Sequence, residues 1–288
     1  MPAISVVVIS RDRRESLLAT LGRLDELPER PPILVVDNGS GDGTAAAVRR
    51  SYPSVRLIEA GTNLGSAGRT LGMQAVNTPY VAFADDDSWW APGALSAAAD
   101  LLTAHPRLAV LAGRVLVGPD GRLDPVCAAM AAAPLGCAAD LPGPSVLGFL
   151  ACGAVVRRSA YLQVGGFHPR FGVGGEEELL AVDLTSRGWG LAYVDAVVAH
   201  HHPSPARDPT GRRRTQVRNA AWSSWLRRPA GTVARQLVTL TPRLATDAAA
   251  RTGLLHAVRG LPWVLRERKV VSRDLERRLR VLDQDRAA

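Results

Sequence analysis

Cysteine is scarce in this chain, and lysine is almost missing. The three cysteines, Cys127, Cys137 and Cys152, form neither a CxxC pair nor a Cys/His spacing suited to zinc. That speaks against a disulfide framework and for free thiols in a reducing compartment. Lys269 is the only lysine. Long apolar runs are absent too: the longest, Val146 to Val156 and Leu108 to Val117, are too short to span a bilayer. The first residues pass almost at once into a strand-like run, Ile4 to Ile9, with no basic leader and no cleavage site. No secretory signal is visible, so a cytoplasmic location is expected.

What is present is an ample core. At 288 residues and 47% hydrophobic content, the chain suits one large α/β domain with an appendage, or two small domains. Charge is unevenly spread: residues 1–202 carry 16 basic and 20 acidic side chains, whereas residues 203–288 carry 19 and 7. An acidic front and a basic tail imply different partners for the two segments.

The first hundred residues alternate between strand and helix signals. Ile4–Ile9, Ile33–Val36, Val55–Ile58 and Tyr80–Ala84 are short runs of the kind buried in a parallel sheet. Between them, helices are predicted over Glu15–Leu24, Thr44–Arg50 and Ser66–Val76. Such alternation requires right-handed crossovers and a sheet covered on both faces. Pro92 suits the first turn of a helix running to about Ala104, and Leu108–Val117 reads as a strand. Residues 119–144 read as a loop, Val146–Val156 and Leu191–Val198 as strands, and Glu176–Arg187 as a helix ended by Gly188. Beyond Pro203, Pro205 and Pro209, helical stripes follow at Leu254, Val258, Leu261, Leu265 and at Leu275, Leu279, Leu282, with Ser272 as a cap.

The most informative feature is Asp85-Asp86-Asp87, at the end of the apolar run Tyr80–Ala84. Three adjacent carboxylates repel, and packing them against a buried strand costs free energy unless a cation neutralises them. Open α/β sheets keep their ligands at this end of a strand. The economical reading is a site for magnesium or manganese; an acidic turn capping the next helix is the plainer one. Four further features sit at matched positions: Ser10-Arg11-Asp12-Arg13 after the first strand, Asp37-Asn38-Gly39-Ser40 after the second, Asn63 to Arg69 opening a helix, and Gly174-Gly175-Glu176-Glu177-Glu178 followed by His200-His201-His202.

Together these resemble the family 2 glycosyltransferases, inverting enzymes of the GT-A fold that use nucleotide-sugar donors. The resemblance covers roughly residues 3–202. It implies a Rossmann-like α/β fold, a mixed, mostly parallel sheet with helices on both faces. Residues 1–202 would form the catalytic domain and residues 203–288 a basic, mainly helical extension. It also implies roles. Asp37 would contact the nucleoside, and Ser10, Arg11 and Arg13 would lie beside the base; the Tyr usual there is missing, leaving stacking to a guanidinium. Asn63, Gly65 and Arg69 would approach phosphate or ribose, though glycines in such a turn also serve close helix–sheet packing, and Thr70 stands where Asn is usual. Asp85 is assigned to the ribose side, Asp86 as auxiliary, and Asp87 with His200 (or its neighbour His201) to a Mn2+ or Mg2+ ion. Glu177 is the general base, with Glu where the family has Asp. Glu176 and Glu178 crowd it and would raise its pKa. Trp89, Trp90, Gly166 and Glu176 are candidates for shaping the acceptor pocket.

The expected activity is metal-dependent, inverting transfer of a sugar from a nucleotide-diphosphate donor to a hydroxyl of a carbohydrate, lipid-linked or small-molecule acceptor. Two alternatives stand beside it. One is a noncatalytic nucleotide-sugar-binding module of the same fold. The other is a sugar-1-phosphate nucleotidyltransferase, which would want a Gly-rich loop with Arg and Lys after strand one. In the tail, Trp222, Trp225 and Trp263 among Arg218, Arg227 and Arg228 suggest either contact with an anionic membrane surface or packing on the catalytic domain. Nucleic acid is not expected as a partner, since no recognition motif accompanies the basic charge.

Overall fold

The computed structural model describes residues 3–203 and 209–285. The front half alternates as the sequence pattern requires: β1 (Ile4–Ser10), α1 (Arg14–Asp25), β2 (Ile33–Asp37), α2 (Thr44–Ser51), β3 (Arg56–Glu59), α3 (Ala67–Ala75) and β4 (Tyr80–Asp85). Then follow β5 (Ser88–Trp90), α4 (Ala94–Ala104), β6 (Leu108–Val117), β7 (Arg122–Leu123), α5 (Pro125–Ala131), β8 (Ala154–Arg157), α6 (Arg158–Gln163), α7 (Glu176–Ser186) and β9 (Gly190–His201). The chain ends in helices α8 (Pro209–Arg227), α9 (Ala230–Thr246), α10 (Ala248–Arg259), α11 (Leu261–Glu267) and α12 (Arg273–Asp285).

One sheet carries all nine strands in the order β3-β2-β1-β4-β8-β6-β9-β5, with β7 paired to β6. β1 runs parallel to β2 and β4, β6 parallel to β9, while β8 is antiparallel to β4 and β6 and β5 antiparallel to β9. Side chains alternate between two cores. Val7, Ile9, Leu34, Val36 and Phe83 join one, and Val6, Val8, Val35, Ala82 and Ala84 the other. The strand order turns back between β1 and β4, which opens a crevice beyond their carboxyl ends. In register there, Ser10 lies opposite Asp37, and Ile9 opposite Asp85.

Three segments differ from expectation. Residues 119–144 are not all loop: Asp124 accepts a hydrogen bond from the Val126 amide at 2.8 Å and caps α5, with Pro125 in its first turn and Cys127 and Met130 buried. Val146–Val156 is not one strand. A 3-10 turn at Ala151–Gly153 interrupts it, and ladder pairing begins at Ala154. The strand predicted over Leu191–Val198 runs on to His201, because β5 pairs its last residues after a bulge opposite Gly113 and Arg114.

The C-terminal helices pack against the sheet domain. Phe171 and Leu179 share a core with Trp222, Trp225, Leu226, Ala257, Trp263 and Val264, and Leu147 and Val182 share another with Leu275 and Leu279. The three tryptophans are thus buried rather than offered to lipid, which overturns the membrane reading based on them. Their arginine neighbours are engaged as well: Arg227 pairs with Asp183 at 2.5 Å, and buried Arg228 with Glu276 at 2.6 Å and Asp283 at 2.8 Å. Of the expected stripe, Leu254 and Leu261 pack inward while Val258 and Leu265 stay exposed. Ser272 caps α12 by accepting from the Leu275 amide. Pro209 opens α8; Pro205 lies outside the described residues. Among the described residues, no helix is long and apolar enough to cross a membrane.

Candidate functional site

Two loops beyond β1 and β2 are tied together. Asp12, held at a φ of 51°, accepts from the Gly41 amide at 2.7 Å, and its own amide donates to Ser40 Oγ at 2.9 Å. Asp37 is buried, and its Oδ1 accepts from the Ser40 amide (3.0 Å) and hydroxyl (2.5 Å). The turn-forming role of Asp37 is therefore real. Arg11 is exposed and faces Asp12 at 3.5 Å, at the rim of the crevice. Arg13 is half-buried and its charge acts on Asp86.

Each carboxylate of the triplet has a separate environment. Asp85 accepts from the Arg69 guanidinium. Asp86 accepts from Ser10 Oγ at 3.1 Å, while its carbonyl accepts from Ser16 and Thr20 on α1. Burial, then the charges of Asp87 and Asp85, push the Asp86 pKa up to about 7. Asp87 is buried, and its Oδ1 lies 3.3 Å from His201 Nε2.

The structure separates the two histidines. β5 pairs with β9 so that Trp89 lies opposite His200 and Ser88 opposite His201. Neighbours on a strand point to opposite faces. His200 therefore stacks on Trp89, with ring centres 5.6 Å apart, and His201 turns toward Asp87. Burial, helped by His202 and Arg23, lowers the His200 pKa.

Among the described residues, no three His, Cys, Asp or Glu side chains form a metal-holding group. Asp87 and His201 supply one oxygen and one nitrogen. Magnesium-like ions are commonly held by one or two protein groups, with substrate phosphates and water completing the shell. The donor set fits a dication shared with a diphosphate, and does not fit one caged by protein alone.

On the other wall, α7 begins at Glu176 after Gly174 and Gly175, whose φ values of 116° and 85° are left-handed. Glu176 is 2% exposed and accepts from the Gly174 amide. Burial, then the Glu177 charge, raises its pKa to about 8. Glu177 is half-buried. Burial raises its pKa and the Asp85 charge adds to this, while Arg69 and the backbone of Ala151 oppose the rise.

Arg69 connects the two walls. It is 2% exposed, stands 5.8 Å over the Phe83 ring and 5.7 Å over the Phe167 ring, and feels Asp85, Glu176 and Glu177. Burial alone would lower its pKa; the three carboxylates reverse this and raise it. Its Nε and Nη1 have no hydrogen-bond partner. A buried guanidinium with two unspent donors suits an anionic ligand.

The loop before α3 is a packing device as well. Asn63 Oδ1 accepts from the Gly65 amide at 2.9 Å, the Asn38 amide group donates to the Gly65 carbonyl at 3.1 Å, and the Ser66 amide donates to the Gly172 carbonyl at 3.2 Å. A Cβ on Gly65 would lie 2.7 Å from Gly172 Cα, so close backbone approach is what requires glycine there.

One acceptor candidate is corrected. Trp90 is 1% exposed and donates to the Phe83 carbonyl at 3.2 Å, so it belongs to the core and offers no face to a sugar. A Cβ on Gly166 would strike Tyr161 at 2.3 Å, so close packing requires glycine in the turn that seats Phe167 under Arg69. Trp89 is packed between Arg23 and His200. Sequence reasoning missed Asn38, Ser66 and the 3-10 turn whose Cys152 faces Asp85, Asp87 and Glu177. Burial, then Asp85, holds that thiol well above its ordinary pKa, so it stays protonated. The Asp-Asn-Gly string offered a signal for Asn38; nothing local marked Cys152.

Comparison with known proteins bears on the family and the fold. Residues 5–164 match the model of the family described as glycosyl transferase family 2. The chain is 32% identical over 244 residues to the N-acetylglucosaminyl-diphospho-decaprenol L-rhamnosyltransferase of Mycobacterium tuberculosis, covering 73% of this chain and 78% of that one. Among solved structures, it resembles the mannosyltransferase PcManGT from Pyrobaculum calidifontis, in complex with GDP-Man and Mn2+, at a TM-score of 0.62 and 20% identity, covering 92% of this chain and 72% of that one. It also resembles S. aureus TarS in complex with UDP-GlcNAc, at a TM-score of 0.58 and 16% identity, covering 76% and 66%.

Proposed function

The chain belongs to glycosyl transferase family 2, and on that footing we propose that it moves a hexose or deoxyhexose, with inversion, from a nucleotide-diphosphate donor to a hydroxyl of a lipid-linked acceptor. The observation that carries this reading is the convergence on Arg69 of Asp85, Glu176 and Glu177, beside the Asp87–His201 pair. The relative's name, an N-acetylglucosaminyl-diphospho-decaprenol L-rhamnosyltransferase, favours a deoxyhexose and a lipid-linked acceptor.

In this reading Glu177 takes the proton from the acceptor hydroxyl as its oxygen attacks the anomeric carbon. The bond from that carbon to the phosphate oxygen breaks, and the diphosphate departs with the electron pair on the opposite face. Burial raises the Glu177 pKa, which strengthens the carboxylate as a proton acceptor. Arg69 counters the carboxylates and presents its spare donors toward the donor's phosphates or ribose. Asp37 would receive the nucleoside through Oδ2, since Ser40 uses Oδ1. Asp87 and His201 would hold Mn2+ or Mg2+, which when bound neutralises charge on the departing diphosphate. Residues 1–202 act as the catalytic domain, with the helical extension packed on it through the tryptophan core.

The test is a transfer assay with Mn2+, a panel of nucleotide sugars and a polyprenyl-diphosphate-sugar acceptor. Glu177→Gln is expected to abolish transfer while leaving donor binding intact. Transfer surviving at the wild-type rate in Glu177→Gln removes the base assignment. Failure to bind any nucleotide sugar removes the donor reading.

A further inference from the structure

The loop that delivers α7 to the site is held from a distance by the C-terminal helices. Asn219 on α8 is 0% exposed, and its side-chain amide donates to the Phe171 carbonyl at 3.0 Å and the Gly174 carbonyl at 2.7 Å. Arg218 donates to the same Phe171 carbonyl at 2.5 Å and to Asn219 Oδ1 at 2.9 Å, with its guanidinium 4.5 Å over the Trp222 ring. Within the span so bridged, Gly172 and Gly174 have left-handed φ, and so does Gly175 just beyond it. Glycine there is permissive, so the span has no stiffness of its own. Both hydrogens of one side-chain amide fix its two ends, and Glu176 and Glu177 follow directly. From the other side, Ser66, three residues before Arg69, donates its amide to the Gly172 carbonyl at 3.2 Å. The loop is thus gripped between the arginine's loop and α8.

We infer that Asn219, oriented by Arg218, is a positioning residue for transfer: it sets where the Glu177 carboxylate stands relative to Arg69 and the acceptor. The helical extension is then part of the catalytic apparatus, although none of its residues need touch substrate. A buried amide whose two hydrogens and oxygen are all engaged has no slack, so its geometry passes to the carbonyls it holds. This rests on reading Glu177 as the base. A displacement of about 1 Å at a reacting group can cost about a hundredfold in rate.

The experiment uses the full chain with Asn219→Ala and, as a milder change that keeps one donor, Asn219→Ser. Backbone hydrogen exchange over residues 171–178 reads the clamp without reference to chemistry. Exchange there is expected to rise in Asn219→Ala, more than in Asn219→Ser, while β1 and β4 stay protected. In turnover, kcat is expected to fall about a hundredfold in Asn219→Ala and less in Asn219→Ser, with KM for the donor within about twofold. The acid limb of the pH–rate profile should shift, because the surroundings of Glu177 have moved. Unchanged exchange in the loop overturns the clamp. A kcat that falls only in proportion to the folded fraction, with an unmoved pH profile, overturns the positioning role. Full activity of Glu177→Gln, by contrast, sinks the base reading and leaves the exchange result standing.

Discussion

His201 faces Asp87 across 3.3 Å, while the preceding residue, His200, lies flat against Trp89. The alternation of β9 turns two adjacent imidazoles to different surroundings. His201→Ala is expected to raise the Mn2+ concentration needed for half-maximal transfer at least about tenfold, whereas His200→Ala should change it little. Metal titration of activity in both variants checks this, and equal effects would contradict the assignment.

Stability should depend on pH through Glu176. Its native pKa of about 8 lies above the ordinary 4.5, so across that window the native state holds a proton that the unfolded state has lost. Stability therefore falls as pH rises from about 4.5 to about 8, and the contribution is complete only below the unfolded value. Glu176→Gln should flatten this slope in denaturant melts taken across the window.

Arg69→Met should show the same sign more strongly. It leaves Asp85, Glu176 and Glu177 without their shared cation, and losing one partner of a buried ion group costs about 3 kcal/mol or more. The loss should be largest at alkaline pH and smaller as the carboxylates regain protons. Thermal melts at several pH values read it.

Gly65→Ala and Gly61→Ala form a matched pair. Both glycines have left-handed φ, but a Cβ at Gly65 meets Gly172 at 2.7 Å while at Gly61 nothing lies within 4 Å. Gly65→Ala should be the more destabilising by about 1–3 kcal/mol, as overpacking costs. Urea melts of the two variants give the difference.

Ending the chain at residue 202 should not yield a well-behaved catalytic domain. Phe171, Leu179, Leu147 and Val182 would lose their cover. Aggregation or loss of a single sharp species on size-exclusion chromatography is the expected outcome.

The sheet and its first four strands were legible because β-branched runs alternate with helical stripes, and the ligand end of that sheet follows from topology. The triplet, Arg69 and Glu177 were legible as charges at element ends. What resisted reading depended on partners far along the chain. His200 and His201 can be told apart only through the register with β5, and Trp90 looks like a sugar platform until Phe83 is seen to bind it. Residues such as Asn219 carry no local signature, since their meaning lies in the carbonyls of a loop some 45 residues away.

The tryptophan seam constrains how this protein can be re-engineered. Because Phe171 and Leu179 supply the sheet domain's side of that apolar joint, a graft of another enzyme's C-terminal helices would meet the wrong surface. A chimera cut near residue 203 should not fold.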